Sequence, residues 1–142
     1  MTAGAEGPPT RSRTVPLFVN GDGMRGGRVH HTIEAHPFLG PARTAPRYRF
    51  FSVRDEFPAL WPVAEDGVSI EGELYDVPLD VIRDRFIPAE PPELELGVVE
   101  LEDGGSALVV VLREGVHAAG LGLKDVSEYG GWRAYKAEEE GR

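Results

Sequence analysis

Apolar and β-branched residues are grouped along the chain in short runs, each bounded by Pro, Gly or charged residues. Runs of this length and composition are typical of β-strands, and residues 68–77 also alternate in character as a strand does. The last two runs flank Glu102-Asp-Gly-Gly105, in which the Asp-Gly pair is typical of a hairpin turn. The pattern predicts strands at residues 14–20, 38–44, 48–53, 59–63, 68–77, 94–101 and 107–112.

One segment has helical periodicity instead. It follows Pro78, a residue that favours the first position of a helix. Its buried stripe is predicted to consist of Leu79, Ile82, Arg83 and Phe86. The prolines at positions 88, 91 and 92 are expected to end it, and residues 124–137 are expected to form a short helix and a packed tail. Because strands dominate without a βαβ rhythm, we predict a strand-rich α+β domain, a small β-barrel with flanking helices.

The length of 142 residues suits one domain. Residues 1–13 are small, polar and rich in Pro and Gly, which predicts a disordered tail; residues 14–137 would form the domain and residues 138–142 a polar tail. The net charge of −9 and the lack of a basic face argue against nucleic-acid binding. No apolar run is long enough to span a membrane and no secretory signal is visible, so we expect a cytoplasmic protein with no membrane partner; a homodimer remains open.

A glycine-rich segment follows the first predicted strand. Four of the eight residues from Asn20 to Gly27 are Gly, so the backbone there turns tightly or lies against another group. Several N–H groups in such a loop can surround a carboxylate, a phosphate or a developing oxyanion. The alternative is a plain structural turn. On the first interpretation the substrate-binding residues are Asn20, Gly21, Asp22, Gly23, Met24 and Arg25.

This loop resembles the signature of the γ-glutamylcyclotransferase family, in which a strand enters Tyr-Gly-Ser/Thr-Leu-x-Arg-Gly. Gly21, Arg25 and Gly26 match that motif, while Asn20 stands in place of the Tyr and Gly23 in place of the Leu. Residues 72–75 read Gly-Glu-Leu-Tyr, also similar to the family. The resemblance implies a mixed β-barrel of the γ-glutamylcyclotransferase-like fold, a loop that holds the carboxylate-bearing end of a small substrate, and Tyr75 as a further substrate-binding residue.

The same resemblance identifies a catalytic carboxyl. Residues 86–90 keep the spacing of the family segment that ends in a general acid/base glutamate, which assigns that role to Glu90. Glu93 is the alternative catalytic residue if the Pro-rich segment shifts register, and Glu95 is close enough to compete. One carboxyl can take a proton from an attacking amine and give it to the leaving amine if burial raises its pKa towards neutrality. The alternative is a solvated acidic loop.

The C-terminal string Asp125-Val-Ser-Glu-Tyr-Gly-Gly-Trp-Arg-Ala-Tyr135 resembles the end of the allophanate hydrolase C-terminal domain. Residues 44–49, Thr-Ala-Pro-Arg-Tyr-Arg, are similar to another segment of that domain. This resemblance implies decarboxylation of an N-carboxy compound, with a catalytic His in the first loop where Gly23 stands here. His30 and His31 are alternative catalytic candidates, or exposed loop histidines. Arg133 either pairs with an internal carboxylate or lines the pocket.

Three functions therefore remain open. The first is an enzyme that acts on a carboxylate-bearing amide or carbamate, by cyclotransfer or a related amide cleavage with Glu acid/base catalysis. The second is a decarboxylase or lyase, and the third is a non-catalytic binding or assembly module of an amidase system. We expect no cofactor, and no metal, because the chain has no Cys and the four His offer no ligand spacing.

Overall fold

A computed structural model describes residues 13–141 and shows a strand-rich domain. Each of the seven predicted strands is present with bounds shifted by at most a few residues, and one short strand near the C-terminal end was not predicted. The strands of the described chain are β1 (Thr14–Val19), β2 (Phe38–Arg43), β3 (Tyr48–Val53), β4 (Phe57–Pro62), β5 (Glu71–Pro78), β6 (Leu94–Glu100), β7 (Ser106–Leu112) and β8 (Leu123–Asp125).

These strands form one curled, mixed sheet. Its order is β2-β5-β1-β7-β4-β3-β8, with β6 paired to β7 in addition. The β1 and β4 strands both run parallel to β7, while the other pairs are antiparallel. The far ends of β2 and β6 meet again, because the Ala45 N–H donates to the Glu100 carbonyl and the Glu102 N–H to the Arg43 carbonyl, both at 2.9 Å. The predicted barrel is therefore confirmed. Five strands close the circuit, in the order β2-β5-β1-β7-β6, and β4, β3 and β8 extend the sheet from β7 as a branch.

The core fills the interior of this circuit. Leu17 and Phe18 of β1 are fully buried, as are Ile70, which precedes β5, and Val77, which lies within it. Gly72 lets β5 lie close to β1, since a Cβ at this position would be 2.6 Å from the Phe18 ring. The end of β1 is thereby held against β5, and the glycine-rich loop begins directly after it.

The predicted helix after Pro78 is longer than expected. Helix α1 comprises three consecutive segments, Leu79–Val81, Ile82–Phe86 and Ile87–Ala89, of which the middle one has the wider π-helical turn. Pro88 therefore lies inside the helix, and the expectation that it ends the helix was wrong. Its ring would clash with the carbonyl four residues earlier, and the wider turn around that carbonyl relieves the clash.

The predicted stripe of α1 is correct in part. Ile82 and Phe86 are buried, whereas Leu79 is 42% exposed and Arg83 is also exposed. Ile82 and Phe86, about one turn apart, pack α1 on the barrel, and the helix leads directly to Glu90.

The C-terminal region contains two further helices. Helix α2 (Glu114–Ala119) was not predicted; it ends at Gly120 with a φ of 69°, a common C-terminal cap. Helix α3 (Trp132–Glu140) extends three residues into the segment predicted as a polar tail. The tail predicted to be disordered comprises residues 1–13, of which residues 1–12 lie outside the part of the chain that the structure describes. No helix in the described part is long and apolar enough to cross a membrane.

Candidate functional site

The glycine-rich loop leaves β1 as a series of tight turns. Its backbone bonds run from Met24 N–H to the Gly21 carbonyl (3.0 Å), from Gly27 N–H to the Met24 carbonyl (2.8 Å) and from Val29 N–H to the Asp22 carbonyl (2.9 Å). A side chain at Gly21 would meet the Pro58 ring at 2.5 Å, so glycine is required there. The N–H groups of Gly21, Asp22 and Gly23 donate to no acceptor within residues 13–141. The loop therefore presents three free donors in succession.

Glu90 and this loop line one cavity. The cavity measures about 20 Å³, room for about one water-sized group. Its polar lining comes from Asn20, Gly21–Gly23 and Glu90, and its apolar lining from residues that include Phe57, Pro58 and Phe86. The Asn20 Nδ2 atom is the only fully buried side-chain nitrogen or oxygen without a partner among the described residues. Leaving such a group unpaired costs about 1–3 kcal/mol, which makes this atom a candidate for contacting a ligand.

Glu90 follows α1 directly, and its N–H donates to the Ile87 carbonyl at 3.0 Å. Burial raises the pKa of its carboxyl from 4.5 to about 7, and the negative charge of Asp22 contributes to the increase. Asp22 is itself paired with Arg28 at 3.1 Å. The arrangement separates the roles of two neighbouring carboxyls, because one is held by a cation and the other can exchange a proton near neutral pH.

An outer groove of about 270 Å³ also includes Glu90. Asp22 and Glu90 line both this groove and the inner cavity, so they lie at the boundary between the two. Arg28 and His31 bring positively ionisable groups to the groove. A small substrate could therefore lie in the groove and direct one polar atom into the inner cavity.

The alternative carboxyls lie elsewhere. Glu93 pairs with Arg54 at 2.9 Å, and the exposed Glu95 lies 3.4 Å from Arg113. Neither residue lines the inner cavity or the outer groove. Of the three glutamates that the sequence offers in this segment, the structure brings only Glu90 to the loop.

The two histidines have different surroundings. His30 Nδ1 lies 2.9 Å from the Gly23 carbonyl, and the ring packs edge-on against Tyr75. His31 Nδ1 lies 3.0 Å from the Arg28 carbonyl, and the residue is exposed at the groove. An imidazole thus contacts the backbone of the loop position where the resemblance places a catalytic His.

Three other predicted substrate-binding residues are separated from Glu90. The Met24 side chain is buried in the core, and the Arg25 guanidinium lies 4.7 Å from the centre of the Phe38 ring. Tyr75 is buried and donates its hydroxyl to Glu73 at 3.1 Å. The structure therefore groups Asn20, Gly21, Asp22 and Gly23 with Glu90, and it places the side chains of Met24 and Tyr75 in the core.

Glu73 was not singled out by the sequence. It is 7% exposed and accepts hydrogen bonds from the Arg25 N–H (2.8 Å), the Tyr75 hydroxyl and Arg133 Nη2 (3.2 Å). Burial alone would raise the pKa of its carboxyl, but these three donors together hold it below its ordinary value. The sequence does contain a signal for its burial, because residues 73, 75 and 77 lie on the same face of the predicted strand and two of them are the apolar or aromatic Tyr75 and Val77.

The C-terminal string is attached to the loop through this carboxylate. Arg133 Nη2 donates to the Arg25 carbonyl at 2.9 Å as well as to Glu73. Arg133 thus pairs with an internal carboxylate, one of the two alternatives left open by the sequence, and the cavity that it lines does not include Glu90. Trp132 and Tyr135 are buried and fix the tail to the core. The described residues include no group of three or more His, Asp or Glu that could hold a metal ion.

Comparison with known proteins gives a consistent result. The model of the allophanate hydrolase C-terminal domain family matches residues 15–137. The urea amidolyase of Saccharomyces cerevisiae is 31% identical over 131 residues; the match covers 87% of this chain but spans only 7% of that protein's length. A uropathogenic E. coli-specific protein of solved structure is 29% identical with a TM-score of 0.80, over 87% of this chain and 96% of that one.

A more distant structure bears on the fold alone. An aig2-like protein of Mus musculus has a TM-score of 0.52 at 22% identity, over 70% of this chain and 76% of that one. Together these matches support the γ-glutamylcyclotransferase-like fold and a domain that also occurs as a chain of about this size.

Proposed function

The chain belongs to the allophanate hydrolase C-terminal domain family, and from this premise we propose that it is a small-molecule enzyme with Glu90 as its general acid/base. The substrate is a carboxylate-bearing amide or carbamate, and the reaction is cyclotransfer or a related amide cleavage. The observation that carries this proposal is the position of Glu90 at a cavity that is also lined by Gly21–Gly23, the residues whose N–H groups are unpaired among the described residues.

The geometry supports one orientation of the substrate. Arg28 lines the outer groove, where its guanidinium could bind the substrate's carboxylate in addition to Asp22. Its carbonyl oxygen would enter the inner cavity, where the loop N–H groups and Asn20 Nδ2 could stabilise the charge that develops on it. The reacting carbonyl carbon would then lie between these donors and Glu90.

The chemistry needs one group that both accepts and donates a proton. In cyclotransfer, an amine of the substrate attacks its own carbonyl carbon, a new C–N bond forms, and the old C–N bond breaks. Glu90 takes the proton released by the attacking nitrogen and gives it to the leaving nitrogen, so no water or cofactor is consumed. A carboxyl with a pKa of about 7 is suited to both steps at neutral pH.

Decarboxylation of an N-carboxy compound is the second candidate. It is favoured by the family match and by His30, whose ring contacts the Gly23 carbonyl. In that reaction the bond between nitrogen and the carboxyl carbon breaks, carbon dioxide leaves and the nitrogen gains a proton. His30 rather than Glu90 would be the decisive residue.

Three single substitutions test the leading proposal. Glu90→Gln should lower turnover by about 10²–10⁴-fold, the usual contribution of one positioned proton-transfer group. Glu93→Gln and Glu95→Gln are matched controls, because each removes the same charge from the same short segment. Turnover is measured by NMR detection of products from a panel of γ-glutamyl amides, small carbamates and N-carboxy compounds.

The outcomes separate the candidates. Loss confined to Glu90→Gln supports acid/base catalysis by Glu90, whereas equal losses in all three variants indicate a general electrostatic effect. Loss in His30→Gln together with full activity in Glu90→Gln favours decarboxylation. Saturable substrate binding without turnover in the unmodified protein identifies a binding or assembly module.

A further inference from the structure

Strand β6 has an edge that no other strand of the described chain covers. It pairs with β7 on one side, and on the other side only the carbonyl of its last residue, Glu100, accepts a bond, from the Ala45 N–H. Two apolar residues in the middle of the strand are exposed, Leu96 at 47% and Val98 at 66%. A free strand edge with exposed apolar side chains is a surface on which another strand can pair.

The sheet has two other edge strands, and both are protected against such pairing. Strand β2 contains Pro41 and has an irregular register between Phe38 and Gly40, and strand β8 has only three residues. Proline, irregular register and short length are common means of preventing edge pairing. Strand β6 has none of them, because its seven residues include no Pro and pair with β7 in an unbroken register.

The backbone of β6 bonds to β7 at every second residue. Bonds from the Arg113 N–H to the Glu93 carbonyl (3.0 Å) and from the Leu101 N–H to the Gly105 carbonyl (2.8 Å) lie at the two ends of this ladder. Because hydrogen-bonded pairs alternate along antiparallel strands, the odd-numbered residues of β6 bond to β7. The N–H and carbonyl groups of the even-numbered residues point away from β7, along the free edge.

Bonds within the chain already use groups at both ends of this edge. The Leu94 N–H donates to a preceding carbonyl at 3.1 Å, and the Glu100 N–H donates to the Tyr48 hydroxyl at 2.9 Å. Leu96 and Val98 lie between them, and their N–H and carbonyl groups have no partner within the described chain. Two donors and two acceptors are therefore available in the middle of the strand.

These four groups are complementary to the same four groups of a second copy. When two β6 strands run antiparallel with Gly97 at a two-fold axis, Leu96 lies opposite Val98 of the second copy and Val98 opposite Leu96. Each of these two pairs can exchange two hydrogen bonds. A shift by two residues in either direction would place one free residue opposite Leu94 or Glu100, whose groups are already used. Only one antiparallel register therefore pairs all the free groups.

The same register keeps the acidic residues of the strand apart. Glu95 lies opposite Val99 of the second copy, and Glu100 lies opposite Leu94, so no carboxylate directly faces another. Each of the two carboxylates is also near an arginine of its own chain, at 3.4 and 3.1 Å respectively. These ion pairs reduce the repulsion at an edge where two acidic chains would meet.

We propose that β6 is a dimerisation surface, at which two copies of the chain pair their β6 strands antiparallel about a two-fold axis at Gly97. The sheet then continues from one copy into the other. The side chains of Leu96 and Val98 from both copies come together on the face that also carries Leu108 and Val110, the residues opposite them on β7. Because only two residues of each chain contribute free backbone groups, the interface is small and we expect a weak dimer.

Sedimentation velocity at chain concentrations from micromolar to millimolar measures this association. We expect a reversible equilibrium between monomer and dimer in the unmodified protein. Val98→Lys places a charge at the centre of the interface and should weaken association by about tenfold or more. Leu121→Lys is the matched control, because it introduces the same charge at an apolar residue that is 81% exposed and lies outside β6, and it should leave association unchanged.

Disulfide cross-linking tests the register. The chain has no Cys, so an introduced Cys is the only thiol. In the proposed register position 96 faces position 98 of the second copy, within reach of a disulfide, whereas two equal positions lie about 7–8 Å apart, which is too far. A mixture of Leu96→Cys and Val98→Cys chains should therefore form a cross-linked heterodimer, identified by its mass, in excess of either homodimer.

Three results would overturn the proposal. The first is a chain that stays monomeric over the whole concentration range, which would leave the β6 edge free or assign it to a different polypeptide. The second is equal weakening of association by Val98→Lys and Leu121→Lys, which would indicate a general effect of charge. The third is cross-linking without preference for the heterodimer, which would show contact in another register. None of Leu96, Gly97 and Val98 lines the Glu90 cavity or the outer groove, so these results do not depend on the proposed reaction.

Discussion

Glu90→Gln should make the fold more stable at alkaline pH. Burial raises the pKa of the Glu90 carboxyl from 4.5 to about 7. The ionised carboxyl is therefore less stable in the folded protein than in the unfolded chain. A difference of that size between the folded and unfolded pKa values is worth at most about 3 kcal/mol in the free energy of unfolding. Glutamine has nearly the same shape and no charge to bury, so the variant does not bear this cost.

The sign of the pH dependence follows from proton binding. Well below pH 4.5, Glu90 is protonated in both states, and its ionisation contributes nothing. Between 4.5 and about 7 the folded chain retains a proton that the unfolded chain has lost, so the stability of the unmodified protein falls relative to that of the variant as pH rises. Above about pH 7 the full difference is present.

Urea denaturation at pH 5 and at pH 8 measures this effect. The stability difference between Glu90→Gln and the unmodified protein should increase by up to about 3 kcal/mol between the two pH values. Any effect of the substitution that does not depend on pH is the same at both pH values, so it does not contribute to this increase. Glu95→Gln is the matched control, because Glu95 is exposed, and its difference should change by less than about 1 kcal/mol. A difference that is the same at both pH values would show that Glu90 ionises freely in the folded protein and would remove the basis for its catalytic role.

Two further predictions concern the frame that holds the loop. Gly72→Ala should destabilise the protein by more than about 2 kcal/mol, because the new methyl group collides with β1 and the Phe18 ring. The control is Gly115→Ala in α2, which should be neutral or slightly stabilising because a methyl group there faces open space. Thermal unfolding of the two variants measures the difference. Glu73→Gln should cost about 1–3 kcal/mol at pH 7 through weaker bonds from Arg133 and its other donors. Because the folded pKa of Glu73 is lowered, this contribution is lost as pH falls, so urea denaturation at pH 3 should show a smaller difference than at pH 7.

The sequence predicted the barrel because alternation and turn residues are local signals that the final fold preserves. It missed α2, which has only six residues and includes Gly115, a weak helix former. It also placed the end of α1 too early, because the π-helical turn that accommodates Pro88 depends on packing and cannot be read from a proline.

The candidate site, like the fold, could be predicted from the sequence only in part. The position of Glu90 beside the glycine-rich loop could be predicted, because family resemblance fixes its spacing from Phe86 along a short segment. The bond from Arg133 to Glu73 joins residues 60 positions apart, and no local pattern reports such a contact. The unpaired state of Asn20 could not be predicted either, since it depends on which acceptors the folded chain brings close to the amide.

The position of the two least favourable polar groups is itself an argument for function. Asn20 Nδ2 is fully buried without a partner, and the Glu90 carboxyl is costly to ionise. Both line the same small cavity, and the lining also includes Gly21, Asp22 and Gly23, whose N–H groups have no acceptor among the described residues. A purely structural turn would gain stability from an apolar side chain at either position, and most buried polar groups in folded proteins are paired. Their coincidence around one cavity is explained if a ligand supplies the missing acceptor to Asn20 and exchanges a proton with Glu90.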